Sequence, residues 1–307
     1  MSHERIKMTV LFGLFAFSII LSLSHKGLAK KEAQLGLVSA VNTSKGIALL
    51  ELKGPISFSQ EGQFLSQFTA ESVLSELDTI TEDKRVKGVL IRINSPGGTV
   101  GASQELYQAI KAFKKKTSMP VVASIADVGA SGAYYTAMAA DTIFANPGSL
   151  VGSIGVIMTN VNLEKLAEKF GVDVTVFKSG QYKDLLSSFR TSTDEEKQLV
   201  QALIDDVHQQ FLNDFIKARK LSMEQAQRLA DGRIFTGQQA YKEGLVDHLA
   251  GLNEAIMYTA KKAGIQGKPI IIKKSKVHFG NWLAMLQSQI KGMFLSFIPA
   301  TGTNLSL

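Results

Sequence analysis

Ser131 is the residue whose type and setting most favour a chemical role. It lies between Ala130 and Gly132 in a stretch rich in Gly, Ala and Ser, residues 124–156, that contains no Lys or Arg. An apolar strand pattern precedes it and a helical pattern begins at it, so its hydroxyl is expected near a helix N-terminus, where developing negative charge is stabilised. A serine that caps the helix would occupy the same position. These residues alone leave both interpretations, nucleophile and N-cap, open.

A serine nucleophile needs a base, and histidine is the usual one. The chain has five histidines and no cysteine. The histidines are His3, His25, His208, His248 and His278. The first two flank an apolar segment near the N-terminus, and the other three lack a Gly- or Ser-rich context and an evident Asp partner. A Ser-His-Asp triad therefore has little support in the sequence.

Two lysines are the remaining candidates for the base. Lys178 and Lys183 flank a Ser-Gly turn in "FKSGQYKD". A lysine acts as a base only when neutral, and with an ordinary pKa near ~10.4 it requires burial to lower that value. Apolar residues at 185, 186 and 189 predict such burial for Lys183. Two solvated lysines remain the alternative at this stage.

The turn "NSPGGTV", which follows an apolar strand pattern, is a candidate for binding an oxyanion. Pro96 fixes one backbone dihedral, while Gly97 and Gly98 allow close approach of the backbone that a side chain would forbid. Such a turn can present N–H groups to an oxyanion. An ordinary Pro-Gly-Gly turn is the alternative.

Composition excludes several other classes. The 307 residues are 45% apolar and 20% charged, which is typical of a folded protein. The net charge is +7, but the short basic runs at 111–116 and 273–276 lack the interleaved aromatics of a nucleic-acid surface, so no nucleic-acid partner is expected. Without cysteine, an HExxH helix or a P-loop, no metal or nucleotide cofactor is implied.

Strand and helix patterns alternate along the chain, which predicts an α/β fold in one catalytic-type domain. The predicted strands are residues 46–56, 86–95, 120–126, 141–147 and 172–180. The predicted helices are residues 70–83, 103–115, 131–140 and most of 194–230.

The two ends of the chain have a different character. Residues 8–24 carry no charge, which predicts a single-pass membrane anchor within residues 1–30, followed by a tether at 31–45 and a catalytic domain at 46–265. No convincing cleavage site follows, so a retained anchor is favoured over a cleaved signal. A large domain after one N-terminal span usually crosses the membrane, which places residue 46 onward outside the cytoplasm. The basic tail, 266–307, contains an amphipathic pattern at 281–298, which fits a packed helix or a membrane-interface helix.

Four motifs together resemble the signal peptide peptidase A (protease IV) family in its short bacterial form. They are "RINSPGGTV", "ASGAYYTAMAADTIFANPGSLVGSIGV", "FKSGQYKD" and "DGRIFTGQQAYKEGLVD", in the family's order, and the likeness covers about residues 46–255. The resemblance implies a fold similar to Clp protease and crotonase, with repeated β-β-α units, and a Ser/Lys-dyad serine protease.

The resemblance also assigns residue roles. It implies that Ser131 is the nucleophile and Lys183 the general base. Gly97 or Gly98 would supply an oxyanion N–H group, with the Gly132 N–H as a second donor. Ser153, in "VGSIGV", would hold the lysine.

The family further implies a ring-like homo-oligomer in the bacterial inner membrane, with contact to lipid and with hydrophobic peptides such as remnant signal peptides as substrates. Three alternatives stay open. Related membrane proteases with the same dyad cleave stomatin partners, a crotonase-type acyl-CoA hydratase or isomerase shares the oxyanion turn, and a non-catalytic membrane scaffold needs no nucleophile.

Overall fold

A computed structural model describes residues 45–58 and 70–273. Within these ranges the chain forms eight strands and eight helices. The strands are β1 (Gly46–Lys53), β2 (Val86–Ser95), β3 (Val121–Ala130), β4 (Thr142–Ala145), β5 (Leu150–Gly152), β6 (Ile234–Thr236), β7 (His248–Leu249) and β8 (Ile270–Ile272). The helices are α1 (Ala70–Glu82), α2 (Val100–Thr117), α3 (Gly132–Ala137), α4 (Glu164–Lys169), α5 (Asp194–Arg219), α6 (Met223–Leu229), α7 (Gly237–Lys242) and α8 (Leu252–Lys262).

The strands form one mostly parallel sheet in the order β6-β5-β3-β2-β1-β8, with β4 paired to both β3 and β7. Only the β5–β6 pairing is antiparallel among the described strands. The long strand β3 pairs with β4 over its first half and with β5 over its second half. Because parallel strands end at one edge of a sheet, β2 and β3 deliver the glycine turn and Ser131 to the same edge. The pairing of Ser95 with Gly129 shows how closely those ends lie.

Helices cover both faces of the sheet, which explains why its central strands are apolar on both sides. On β2, Ile91 and Ile93 face the larger core beneath α1 and α2. Leu90 faces a second cluster that contains Phe144 and packs against α8. The nucleophile candidate therefore follows a central strand whose first five residues are buried.

Most predicted elements are confirmed, and the predicted α/β class with them. The strand predicted at 172–180 is wrong: residues 172–178 have no regular structure and residues 171–183 are all exposed. The alternation of Val172, Val174 and Val176 with polar residues is a strand pattern, but a strand also needs a hydrogen-bonding neighbour. No described strand pairs with this segment.

The anchor, the tether up to residue 44 and the amphipathic pattern at 281–298 lie outside the described residues. Among the helices that the structure does describe, none combines the length and the apolar character needed to cross a bilayer. Residues 270–272, which the sequence prediction places in the tail, form β8 beside β1.

Candidate active site

Ser131 occupies the sharp turn between β3 and α3. Its backbone has φ 55° and ψ −126°, a region that residues with a side chain adopt at a cost and that is concentrated at functional sites. The Ser131 N–H donates to the Gly152 carbonyl at 2.7 Å, and its own carbonyl accepts from the Tyr135 N–H at 2.9 Å. Its side chain makes no capping hydrogen bond to the helix. The N-cap interpretation therefore does not explain this serine.

The Ser131 side chain faces a cleft of about 110 Å³. Gly98, Gly132 and Gly155 form the part of its wall where a backbone can approach closely. The rest is mainly apolar, with the polar groups of Ser103 and Gln104. The apolar and aromatic lining residues are Val100, Tyr135, Val156, Ile157, Val207 and Phe211. Such a site suits an apolar side chain of an extended ligand.

The turn before α2 is held in place by hydrogen bonds on both sides of Gly98. Ile56 donates its N–H to the Gly97 carbonyl at 2.8 Å and accepts the Thr99 N–H at 2.8 Å. The Gly97 N–H donates to the buried Ser95 hydroxyl at 3.1 Å. These bonds use the polar groups next to Gly98 and leave its own N–H without an acceptor among the residues described.

The two glycine segments approach each other at the cleft. A Cβ on Gly132 would lie 2.2 Å from the Ser103 Oγ and 3.3 Å from the Gly98 nitrogen, and a Cβ on Gly97 would lie 2.7 Å from the Gly132 nitrogen. The Gly132 N–H, at the first position of α3, likewise has no acceptor within the described part of the chain. Two neighbouring N–H groups beside a serine hydroxyl form an arrangement that can stabilise an oxyanion.

Tyr135 lines the cleft one helical turn after Ser131, and sequence reasoning missed it. Its hydroxyl donates a short hydrogen bond to the Asp214 carboxylate on α5. Its ring makes edge contacts with Tyr107 and Phe211, at centroid distances of 5.0 and 4.7 Å. Burial, reinforced by Asp214, raises the pKa of Tyr135 well above its ordinary value. The available signal was its position four residues after the serine, on the same side of a helix.

Ser153 lies beside Ser131. The register of β3 and β5 pairs Ala130 with Gly152, so the next residue on each strand is one of the two serines. Ser153 also has a positive φ, 51°, and its N–H donates to the Arg233 carbonyl at 2.8 Å. The structure thus brings Ser153 to the nucleophile candidate.

Lys183 is not brought to the cleft in the single chain. It lies in a turn, where its N–H donates to the Gly180 carbonyl at 3.1 Å, and its side chain is exposed. The predicted burial is wrong for the single chain, because the neighbouring residues 185 and 186 are only half-buried themselves and Lys183 does not line the cleft. The structure therefore groups Ser131, the glycines and Ser153, and leaves the lysine apart.

A network of charges fastens the lysine's loop to the start of α5. Asp184 accepts hydrogen bonds from Lys178 at 2.6 Å and from Arg190 at 2.8 and 2.9 Å. Arg190 also bonds Glu196, whose carboxylate closes a capping box with Thr193. Hydrogen bonds from Arg190 hold the pKa of Asp184 well below its ordinary value and lower that of Glu196 to about 2. We call Lys178, Asp184, Arg190 and Glu196 the charged clamp.

The charged clamp predicts a pH dependence. The Glu196 pKa is lowered from 4.5 to about 2 on folding, so its contribution to the free energy of unfolding is present above pH 4.5 and is lost as the pH falls through about 2. In Arg190→Gln the Glu196 pKa is expected to rise toward its ordinary value, because its cationic partner is gone. Acid titration followed by NMR and circular dichroism should then show the loop and the start of α5 loosening at a higher pH than in the unaltered chain. Arg228→Gln removes a comparable but exposed pair with Glu243 and should leave that transition in place; identical curves for all three proteins would contradict the prediction.

The two described histidines of α5 and β7 do not line the cleft. A ring nitrogen of His208 lies 2.9 Å from the Ala230 carbonyl oxygen. His248 stacks on Phe144 at a centroid distance of 4.6 Å. Neither arrangement presents an imidazole to Ser131.

Comparison with known proteins agrees with this geometry. Residues 113–266 match the model of peptidase family S49, and residues 56–148 match that of Clp protease. The chain is 45% identical to a Synechocystis sp. protein assigned as the protease slr0021, over 73% of this chain and 76% of that protein. It is 31% identical to an Enterococcus faecium protein assigned as signal peptide peptidase SppA, over 92% and 88% of the two chains.

Protease 4 of Salmonella typhi is 30% identical over 75% of this chain, which spans 37% of that longer protein. The Clp protease match covers β2, β3 and the turn that carries Ser131, and it agrees with the mixed α/β fold. The S49 match covers half of the chain and includes the nucleophile candidate. The chain therefore belongs to peptidase family S49, the family of signal peptide peptidase SppA, and is a serine-type protease.

Proposed function

We propose that this protease is a membrane-anchored endopeptidase that cleaves hydrophobic peptides, such as remnant signal peptides, with Ser131 as nucleophile and Lys183 as general base. One observation carries the proposal. The uncapped Ser131 hydroxyl stands at a positive-φ turn beside the N–H groups of Gly98 and Gly132, in an apolar cleft. This is the arrangement that acyl transfer requires.

The proposed reaction uses Lys183 as the base and the two N–H groups as oxyanion donors. Neutral Lys183 accepts the Ser131 proton as Oγ attacks the scissile carbonyl carbon, and the resulting oxyanion accepts hydrogen bonds from the N–H groups of Gly98 and Gly132. The tetrahedral intermediate collapses, Lys183 gives the proton to the departing amine, and an ester to Ser131 remains. Lys183 then takes a proton from water as the water oxygen attacks the ester carbonyl carbon. The second tetrahedral intermediate collapses, the acid is released, and Lys183 returns the proton to the Ser131 Oγ. Gly98 is favoured over Gly97 as donor because the Gly97 N–H already bonds Ser95.

This mechanism requires Lys183 to lose its solvent, and a second copy of the chain is the proposed source of that burial. The segment from residue 157 to 189 exposes many large apolar side chains, an unusual concentration for a soluble surface. Phe177 is 93% exposed and Ile157 is 87% exposed. Others in the segment are Met158, Val161, Phe170 and Phe189. We propose that this segment packs against neighbouring subunits in a ring-like homo-oligomer.

Phe177→Asp tests the role of assembly. A charge at this position should prevent burial against another subunit, so we expect a shift to smaller species in analytical ultracentrifugation and a large loss of peptidase activity. Circular dichroism should be unchanged, because the side chain packs little within its own subunit. Met223→Asp alters another exposed apolar residue, on α6, and serves as the control. Full activity of a monomeric Phe177→Asp protein would contradict the prediction.

The proposed substrate class rests on the cleft and on the relatives. The walls of the cleft are mainly apolar around Ser131, and one relative carries the name of a signal peptide peptidase. The uncharged segment at 8–24 supports a single-pass anchor. We propose that it lies in the bacterial inner membrane with the catalytic domain outside the cytoplasm, because a large domain after one N-terminal span usually crosses the membrane.

Trapping the acyl-enzyme tests the proposal directly. The full chain would be mixed with an apolar peptide thioester and quenched with acid, and its mass measured. We expect a mass increase equal to the acyl group, located by peptide mapping to the fragment that contains Ser131, together with a burst of released thiol. Turnover of the thioester and of apolar peptides without any acylated Ser131 would overturn the mechanism.

A further inference from the structure

Basic side chains collect at the edge of the sheet where the parallel strands begin, opposite the edge that carries Ser131. Lys114, Lys115 and Lys116 end α2, just before β3. Lys261 and Lys262 end α8. The two helix ends are neighbours, since Lys114 and Lys262 line one depression beside the start of β3 and β4.

The same edge receives further cations from the segments that lead into the other strands. Lys84 and Arg85 are exposed just before β2, and Lys87 is half-buried at its second position. Lys45 immediately precedes β1 and Lys268 precedes β8, and both are exposed. The pairing of Gly46 with Val86 and with Ile270 places these strand starts side by side. We call these ten lysines and arginines the basic edge.

Few acidic groups offset this charge. Asp83 pairs with Arg85 at 2.7 Å, and Asp141 pairs with Lys114 at 2.7 Å. Glu82 ends α1 beside them, Glu254 lines the depression that contains Lys261, and Asp247, just before β7, is paired with Arg219. The basic edge therefore keeps a clear positive excess, which attracts polyanionic surfaces.

Apolar side chains stand among these cations, which favours a bilayer as the polyanion. Met257 is 46% exposed on α8 and Ile270 is 40% exposed at the start of β8. Half-buried Ile265 and exposed Gln266 share a shallow depression with Lys261. Cations interleaved with aliphatic groups fit the headgroup region of a membrane. A single-stranded nucleic acid would stack its bases on exposed aromatic faces, but the nearby Tyr258 ring packs against Phe144 and His248.

We infer that the basic edge binds the anionic headgroups of the bilayer and holds the active site away from it. This inference rests on the proposed membrane function. Strand β3 runs for ten residues from the basic edge to the turn at Ser131, and at ~3.3 Å per residue it separates the two by about 30 Å. An extended peptide must therefore leave the bilayer by about nine residues before its backbone reaches the nucleophile. The substrate class is an apolar peptide with one end already free of the membrane.

Energy transfer from two single positions tests this orientation. The chain has no cysteine, so Gln266→Cys at the basic edge and Gly101→Cys, in the first turn of α2 at the opposite edge, can each be labelled uniquely with a donor dye. Both positions are exposed, and a Cβ at Gly101 meets no atom within 4 Å. The labelled full chain is reconstituted in vesicles of phosphatidylcholine and phosphatidylglycerol that carry an acceptor on their headgroups. We expect several-fold more transfer from position 266 than from position 101.

The second part of the experiment varies the charge of the lipid and of the protein and measures energy transfer from position 266. Omitting phosphatidylglycerol, or raising the salt, should reduce transfer from position 266 while the chain stays on the vesicles, because an apolar anchor does not depend on lipid charge. Lys115→Glu with Lys116→Glu should have the same effect, whereas Lys165→Glu with Lys197→Glu, which changes the net charge equally, should not. Hydrolysis of a soluble peptide should be unchanged in Lys115→Glu with Lys116→Glu.

Three results would overturn the inference. The first is a transfer efficiency from the basic edge that is equal to or lower than that from the opposite edge. The second is a transfer efficiency from position 266 that does not change when phosphatidylglycerol is omitted, and the third is tighter binding of the full chain to duplex DNA than to the anionic vesicles. Hydrolysis is measured separately in detergent, so failure of the orientation is distinguishable from failure of the proposed peptidase function.

Discussion

Replacing Ser131 by alanine is expected to reduce kcat/KM for an apolar peptide by about ten-thousand-fold or more, the scale on which serine proteases lose activity with their nucleophile. No other hydroxyl of the described chain occupies an uncapped, positive-φ turn between two free N–H groups. The fold should be unaffected, since the Ser131 side chain makes no hydrogen bond within the described residues.

Lys183→Met should reduce kcat/KM by a comparable factor, because a serine hydroxyl is a weak nucleophile without a base. Methionine keeps most of the volume of the side chain and removes only the amine. Lys242→Met, which alters an exposed lysine outside segment 157–189, is the matched control. Steady-state hydrolysis, with circular dichroism of each variant, provides the measurement. Activity close to normal in Lys183→Met would place the base elsewhere, and His208 on α5 would be the next residue to test.

A further large effect is expected from Gly98→Ala. A Cβ at this position would lie 1.9 Å from the Ile56 carbonyl oxygen, and that carbonyl is fixed because Ile56 bonds both Gly97 and Thr99. The turn must open to admit the methyl group, which displaces the proposed oxyanion donor. We expect activity to fall by about a hundred-fold or more, the loss typical when one oxyanion donor is removed, together with a lower midpoint of thermal unfolding.

Gly101→Ala is the control for that variant. Gly101 lies three residues further on, in the first turn of α2, and a Cβ there meets no atom within 4 Å. Alanine also favours a helix over glycine, so this variant should be as stable as the unaltered chain or more so, and fully active. Comparable losses in both variants would show that the effect belongs to α2 and not to the close approach at Gly98.

The parts of the site that were predictable are local in the chain. Gly97 and Gly98 follow a clear strand pattern, and Ser131 stands between a strand and a helix, so the parallel topology alone brings the two turns together. The bond between Tyr135 and Asp214 joins residues 79 positions apart. No local sequence pattern at either residue predicts this hydrogen bond, so it becomes evident only when α5 packs against α3.

The loop that carries Lys183 was the least predictable part. Its apolar alternation at 172–177 suggested a strand, and its leucines suggested a buried lysine, yet in the single chain the lysine and the alternating segment are exposed. Apolar periodicity reports that side chains become buried, but not whether the burying surface belongs to the same molecule. The proposed assembly would account for both failures with one cause.

Helix α5 gives the two candidate catalytic residues a common mechanical support. Glu196, in its first turn, holds the lysine's loop through Arg190, and Asp214, near its other end, holds Tyr135 on the helix that Ser131 begins. At 1.5 Å per residue the two attachment points are about 27 Å apart on one rigid rod. In the proposed assembly, contacts that a neighbouring subunit makes with the loop would act on the same helix that supports Ser131. We therefore expect docking of the subunits to be coupled to alignment of the nucleophile.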